Sequence, residues 1–207
     1  MEGLKTGTTT LGIVCKDGIV IAADKRATAG GFIANKDMEK VIQINENLAV
    51  TTAGSVSDIQ LFVKLLRAEL KLKTIKTNRN TTVKEAVNLA SRMVYENVRQ
   101  YFPSMAHFLL AGYDTQGTHL YEIYPDGSMS EIKDFVSSGS GSHMVFGILE
   151  NSYKDTMTVK EGEEMALKSI SASMQRDSFS GNGIDVMVIT KDSLKKTVQK
   201  KMSVVAV

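Results

Sequence analysis

Two apolar runs, Leu11-Gly12-Ile13-Val14-Cys15 and Ile19-Val20-Ile21-Ala22-Ala23, are separated only by Lys16-Asp17-Gly18. A β-rich pair joined through Asp-Gly predicts a hairpin, and the rest of the chain has to be arranged around it. The hairpin puts Thr8 at the outer end of its first strand and Asp24 near the end of the second. Ends opposite a hairpin's turn lie side by side, so a hydroxyl and a carboxylate distant in sequence are expected to be neighbours. A threonine triplet is usually a run of β-branched residues at a sheet edge. Here Gly7 precedes Thr8-Thr9-Thr10, and an Asp and a Lys follow where a nucleophile needs them.

After Arg26 come a short extended segment bent at Gly30-Gly31, an alternating strand Val41-Ile42-Gln43-Ile44, and a strand Leu48 to Ala53 ended by Gly54. Ser55-Val56-Ser57-Asp58 is a helix-starting capping box. Ile59, Phe62, Val63, Leu66 and Leu70 follow it at helical spacing. Thr82-Val83-Lys84-Glu85 opens a second helix with a stripe of Ala86, Leu89, Ala90, Met93 and Val94, and Pro103 follows its end. Both stripes are core rather than a cofactor box. Strands return at Phe108 to Tyr113 and His119 to Tyr124, and Met129 to Val136 predicts a third. The segment Ser137 to Ser142 is expected to open a helix through Ile148, and Thr158-Val159-Lys160-Glu161 another, to about Gln175. Ile184 to Ile189 reads as a strand and Lys200 to Val207 as a last edge strand. Segregated blocks of this kind predict an α+β fold, a four-layer αββα sandwich with two antiparallel sheets flanked by helix pairs. No repeat or linker divides the chain, which at 207 residues suits one domain.

Composition excludes several functions. A net charge of +2 with scattered Lys and Arg gives no nucleic-acid surface. The basic pairs Lys195-Lys196 and Lys200-Lys201 read as a solvated face. No run approaches the roughly 18 apolar residues of a membrane span, and no secretory signal opens the chain. The lone Cys15 sits in an apolar strand, permits no internal disulfide and reads as a small buried hydrophobe. These features predict a soluble protein of a reducing, cytoplasmic compartment. His107, His119 and His143 are isolated, so no metal site is expected, and nothing calls for a cofactor. No Gly-x-Ser-x-Gly elbow is present. Ser137 to Ser142 could bind an anion through its amides but lacks the Lys of a phosphate-binding loop.

Nucleophilic catalysis by Thr8 is the remaining chemistry. A threonine hydroxyl needs a base, and an N-terminal amine can serve. Such an amine has a pKa of about 7.7–8.0, so part of it is neutral near pH 7. A nearby Lys ammonium favours the neutral amine further and stabilises developing negative charge. A carboxylate beside the Lys holds it in place and keeps it protonated, and a backbone N–H at a glycine turn can receive the oxyanion.

The run Thr6-Gly7-Thr8-Thr9-Thr10-Leu11-Gly12, then Asp24-Lys25-Arg26, Lys40 and Thr52-Ala53-Gly54, closely resembles the catalytic β-subunits of archaeal-type 20S proteasomes. The resemblance continues through Gly139-Ser140-Gly141-Ser142, Gln175 to Gly181 and Ile184-Asp185-Val186, and covers essentially the whole chain. It implies an N-terminal-nucleophile hydrolase with a propeptide over 1–7 and one catalytic domain over 8–207. By resemblance Thr8 is the nucleophile of a threonine endopeptidase, exposed when the chain cuts its own Gly7-Thr8 bond. Lys40 is the cation beside its amine, Asp24 orients Lys40, and Gly54 supplies the oxyanion N–H. Ser140, Asp177 and Ser180 surround the amine and hold the water that shuttles its proton, and Arg26 braces the site. The pocket for the residue before the cut is formed by Ala27, Met38, Thr52 and Val56, all uncharged. Implied partners are other β-subunits in seven-membered rings, α-subunit rings, an AAA ATPase cap acting through the α-ring, and unfolded protein substrates. Two other readings stay open: a β-type subunit that fills a ring position without cutting, and a different N-terminal-nucleophile hydrolase such as a small-molecule amidase.

Overall fold

Strand β1 (Thr9–Cys15) turns through Lys16 and Asp17 directly into β2 (Gly18–Asp24), so the hairpin forms as its sequence predicts. The computed structural model describes residues 7–98 and 106–201. After the hairpin come β3 (Ala27–Ala29), β4 (Phe32–Asn35), β5 (Val41–Gln43) and β6 (Leu48–Ala53), then helices α1 (Val56–Thr77) and α2 (Val83–Val98). They are followed by β7 (His107–Asp114), β8 (Gly117–Ile123), β9 (Met129–Ile132), β10 (Phe135–Gly139), α3 (Ser142–Ser152), α4 (Val159–Met174), β11 (Gly183–Thr190) and β12 (Ser193–Lys201). One five-stranded sheet has the order β10-β1-β2-β11-β12 and the other β5-β6-β7-β8-β9, with every pairing antiparallel. β3 and β4 form a separate ribbon.

Side chains alternate across a strand, and here both faces of the central strands are covered. Leu11, Ile13, Val20 and Ala22 pack under Val145, Leu149, Ala166 and Ile170 of α3 and α4. On the opposite face Ile19, Ile21 and Ala23 meet Ala49, Leu109, Ala111 and Leu120 of the other sheet. The sheets approach closely at Gly12, where a Cβ would come within 2.8 Å of Leu120. Beyond the second sheet, Ile59, Phe62, Val63 and Leu66 of α1 and Ala86 and Ala90 of α2 pack on Val50, Phe108 and Leu110. Phe62 stacks on Phe108 with ring centroids 4.1 Å apart. The result is the four-layer αββα sandwich expected, one helix pair outside each sheet.

Local helix signals fare unequally. In α4 the capping box is complete, with Thr158 Oγ1 accepting from Glu161 N and the Glu161 carboxylate accepting from Thr158 N. At α2, Glu85 N donates to Thr82 Oγ1 at 3.2 Å and Thr82 N donates to Glu85 Oε2 at 3.0 Å. At α1 the expected box does not form. Ser55 Oγ turns to Ser57 Oγ and Ser57 bonds Asp58, so the Ser55 side chain caps no amide. The helix runs to Thr77 and ends on Asn78 in the left-handed conformation, φ 51°.

Three expected elements are corrected. Met129 to Val136 is two strands, broken at Lys133-Asp134, because β9 pairs with β8 while β10 crosses to β1 of the other sheet. Ser137 and Ser138 belong to β10 rather than to a helix start, since Ser137 Oγ donates to Thr10 O and the Ser138 and Thr10 hydroxyls bond each other. The last strand starts at Ser193, seven residues before the expected Lys200. Residues 202–207 and Pro103 lie outside the described residues. Lys196 is not a solvated lysine, because it pairs with Glu39 at 3.1 Å and the buried Asp185 at 3.2 Å. Cys15 is packed against Gly162, and burial, reinforced by Asp17 and Glu161, pushes its thiol up to about 12. No helix among the described residues is long and apolar enough to cross a membrane.

Glu85 does double duty at the α2 cap, because Arg79 binds the carboxylate that caps Thr82 and Lys73 lies 3.2 Å away. The Arg79 hydrogen bonds, opposed by burial and aided by Thr82 and Lys73, hold its carboxyl at about 2. Replacing Glu85 with alanine is expected to lower stability by about 1 kcal/mol at neutral pH. A depressed carboxyl stabilises the fold above its unfolded value near 4.5 and loses that contribution as pH falls through about 2. Urea midpoints of the two chains should therefore converge in strong acid, and a gap that persists there rules out the charge effect.

Candidate active site

Four strand ends meet at one mouth of the sandwich. Thr8 precedes β1, Asp24 closes β2, Lys40 precedes β5 and Gly54 follows β6. Thr52 N donates to Lys40 O at 3.0 Å, which carries Lys40 to the end of β6. Thr8 and Lys40 are both buried, and Asp24 is 0% exposed.

Asp24 is the hub. Its Oδ1 accepts from Lys40 Nζ at 2.7 Å and from Thr9 N at 3.0 Å, and its Oδ2 accepts from Gly181 N at 2.8 Å and Arg26 N at 2.9 Å. The hairpin thus brings the ends together, but Asp24 bonds the Thr9 amide rather than the Thr8 hydroxyl. A neighbouring carboxylate alone would keep Lys40 protonated. Burial acts more strongly: it pulls the ammonium below its ordinary 10.5, Asp24 pulls it back through charge and hydrogen bonding, and Arg26 adds repulsion.

The Thr8 hydroxyl donates to the Gly7 carbonyl oxygen at 2.8 Å, so it lies against the peptide bond that would be cut. Gly7 is packed so closely that a Cβ there would run into Phe179 and come within 2.8 Å of Ser140 Oγ. Ser140 Oγ donates to Asp177 Oδ2 at 2.6 Å and lies 3.4 Å from Thr8 O. Ser180 Oγ donates to the same carboxylate oxygen at 2.6 Å. Arg26 braces the segment behind them, with Nε on Asn182 Oδ1 and Nη1 on Ser178 O, each at 2.8 Å.

In front of Thr8 a small cavity of about 20 Å³ opens, lined by Thr8, Lys40 and Gly54 and by all four predicted pocket residues, Ala27, Met38, Thr52 and Val56. Gly54 adopts φ 131°, a conformation that favours glycine. Every residue nominated from sequence therefore lies at this mouth. Sequence reasoning missed five others. Thr28 and Ile59 also line the cavity, although helical spacing assigns Ile59 to the core stripe of α1. Asn182 holds Arg26. Thr9 bonds both Ser180 and Ser173 through its side chain. The position of Thr9 in the triplet was visible, but nothing local pointed to Ser173. Among the described residues no group of His, Cys, Asp and Glu could hold a metal ion.

A four-layer αββα sandwich whose inner strand opens on a threonine is the architecture of the N-terminal-nucleophile hydrolases. The family model for proteasome subunits matches residues 4–189. A "Proteasome subunit beta" of Ferroglobus placidus is 44% identical over 185 residues, 89% of this chain and 87% of its own. Those of Archaeoglobus fulgidus and Methanosarcina barkeri are 44% and 43% identical over 92% of this chain and 89% of theirs. The chain belongs to the proteasome subunit family, as a β-type subunit of the 20S particle. Membership brings peptidase character and assembly with other proteasome subunits.

Proposed function

We propose that the chain is the precursor of a threonine endopeptidase that activates itself by cutting Gly7-Thr8. The observation that carries this reading is the buried Lys40–Asp24 pair at 2.7 Å, on the wall of the cavity that also holds Thr8 and Gly54. A lysine held there by a carboxylate has no structural need to face a cavity, and a nucleophile needs a cation there.

In the precursor the Thr8 nitrogen is an amide and cannot act as base. The Thr8 hydroxyl loses its proton to water and attacks the Gly7 carbonyl carbon. The C–N bond breaks as the nitrogen takes a proton, which frees the Thr8 amine, and water then hydrolyses the resulting ester to a Gly7 carboxylate and the restored Thr8 hydroxyl. That amine then takes the Thr8 hydroxyl proton. The oxygen attacks a substrate carbonyl while Gly54 N–H receives the oxyanion, the proton passes to the leaving amine, and water hydrolyses the acyl ester. Lys40, oriented by Asp24, favours the neutral amine and stabilises the developing charge. Ser140, Asp177 and Ser180 flank the amine and hold the water that relays its proton. The propeptide is 1–7 and the mature domain 8–207.

The assembly that this activity serves has seven-membered β-rings, two back to back, between α-subunit rings. An AAA ATPase cap feeds unfolded protein inward, in the cytoplasm, with no part for nucleic acid or membrane. Uncharged Ala27, Met38, Thr52 and Val56 give the pocket a preference for apolar side chains. Thr52→Arg should move cleavage toward acidic residues, read by profiling a peptide library; an unchanged profile rejects this pocket.

The test of the whole reading is the intact mass of this chain after co-expression with its α-subunit. Loss of residues 1–7 with Thr8 at the new terminus is the expected result. The full chain retained in an assembled particle overturns it and leaves a subunit that fills the ring without cutting.

A further inference from the structure

Thr9 is fully buried, and its hydroxyl lies 2.7 Å from Ser180 Oγ and 2.6 Å from Ser173 Oγ. Ser173 and Ser180 are also fully buried, the first near the end of α4 and the second in the loop before β11. The direction of the chain of hydroxyls follows from counting protons. A hydroxyl has one proton to donate, and that of Ser180 goes to Asp177 Oδ2. Ser180 therefore accepts from Thr9, and Thr9, its own proton given, accepts from Ser173. All three bonds run toward the Asp177 carboxylate, which receives Ser140 on the same oxygen and Phe179 N on the other. Such chains polarise one another and strengthen.

We infer that Thr9 is a positioning residue: with Ser173 it forms a hydroxyl relay that orients Ser180, and through it the Asp177–Ser140 pair next to Thr8. The inference rests on the reading of Thr8 as the nucleophile. The surroundings explain why packing alone does not supply this. A Cβ at Gly141 would run into both Ser173 Oγ and Thr9 Oγ1, so the backbone packs tightly against the relay on that side. Valine matches the shape of threonine without its hydrogen bonds. It leaves Ser180 without its donor, free to rotate off Asp177, and Ser173 without its acceptor. Ser140 answers to the same carboxylate, so the disturbance reaches the group nearest Thr8. The Thr9 backbone amide anchors Asp24 and is unaffected by the side-chain change.

The experiment is steady-state hydrolysis of a fluorogenic peptide by assembled particles carrying Thr9→Val, Thr9→Ser, Ser173→Ala or Thr8→Ala. Losing both side-chain bonds of Thr9 is expected to lower kcat about tenfold for Thr9→Val while KM stays within about twofold, and Thr9→Ser restores kcat to within about twofold. In a Ser180→Ala background, Thr9→Val should add no further loss, as coupled residues require. An unchanged kcat for Thr9→Val, an equal loss in Thr9→Ser, or additive losses with Ser180→Ala each overturn the relay. Where Thr9→Val does not assemble, Ser173→Ala decides, with roughly a fivefold lower kcat expected and a normal kcat overturning it. An active Thr8→Ala particle sinks the nucleophile and the relay together. An inactive Thr8→Ala beside a normal Thr9→Val sinks the relay alone.

Discussion

Thr8→Ala is expected to leave residues 1–7 attached and to lower peptide hydrolysis by on the order of 10⁴-fold or more, the scale of losing a catalytic nucleophile. Without the hydroxyl nothing attacks the Gly7 carbonyl, so the Thr8 nitrogen stays an amide and no base is generated. Folding should survive, because among the described residues the hydroxyl makes a single bond, to its neighbour's carbonyl. Intact mass and peptide turnover on the same particles read both effects. A Thr8→Ala particle that still cleaves peptides removes the mechanism proposed.

Asp24→Asn is expected to damage both stability and catalysis. The carboxylate accepts four hydrogen bonds, three from backbone amides and one from Lys40. An asparagine has one oxygen and one NH₂, so two of those donors would face another donor. Lys40 would lose its counter-charge while still buried. Breaking a buried ion pair from one side costs about 3–5 kcal/mol, and misplacing Lys40 should reduce kcat/KM by roughly 10²-fold or more. The pH dependence has a definite sign. Burial sets the folded pKa of Lys40 below its ordinary 10.5, so between those two values the unfolded chain binds more protons and stability rises with pH. Removing the Asp24 charge lowers the folded value further, so the rise in stability should begin at a lower pH in the variant. Urea unfolding from neutral pH to pH 10 checks this, and identical pH profiles would show that the pair is not coupled.

The hairpin of β1 and β2, both complete capping boxes and the buried stripes of α1 and α2 were legible because each signal lies within a few residues of chain. Turn chemistry, strand alternation and helical spacing act at that range. The same rules failed at Ser55, whose hydroxyl had a competing partner in Ser57. They failed again at Met129 to Val136, where continuous alternation concealed a crossing between sheets. For the site, the motif set was recognisable only as a set. Asp24 alone reads as a strand-end carboxylate and Lys40 alone as a surface lysine, yet both are buried and bonded to each other.

By itself the sequence determined the fold class and most of the order of strands and helices, and it nominated the residues proposed to carry the chemistry, because periodicity and caps are properties of short stretches and a motif is a property of residue identity. Only the tertiary structure decided that Asp24 would collect donors from Thr9, Arg26 and Gly181, and that Thr9 would reach Ser173 and Ser180, 164 and 171 positions away. It also decided that burial would outweigh the carboxylate at Lys40. Hydrogen bonds over such separations, and the desolvation of a charge, depend on how packed layers bring distant segments together, and no local pattern encodes that.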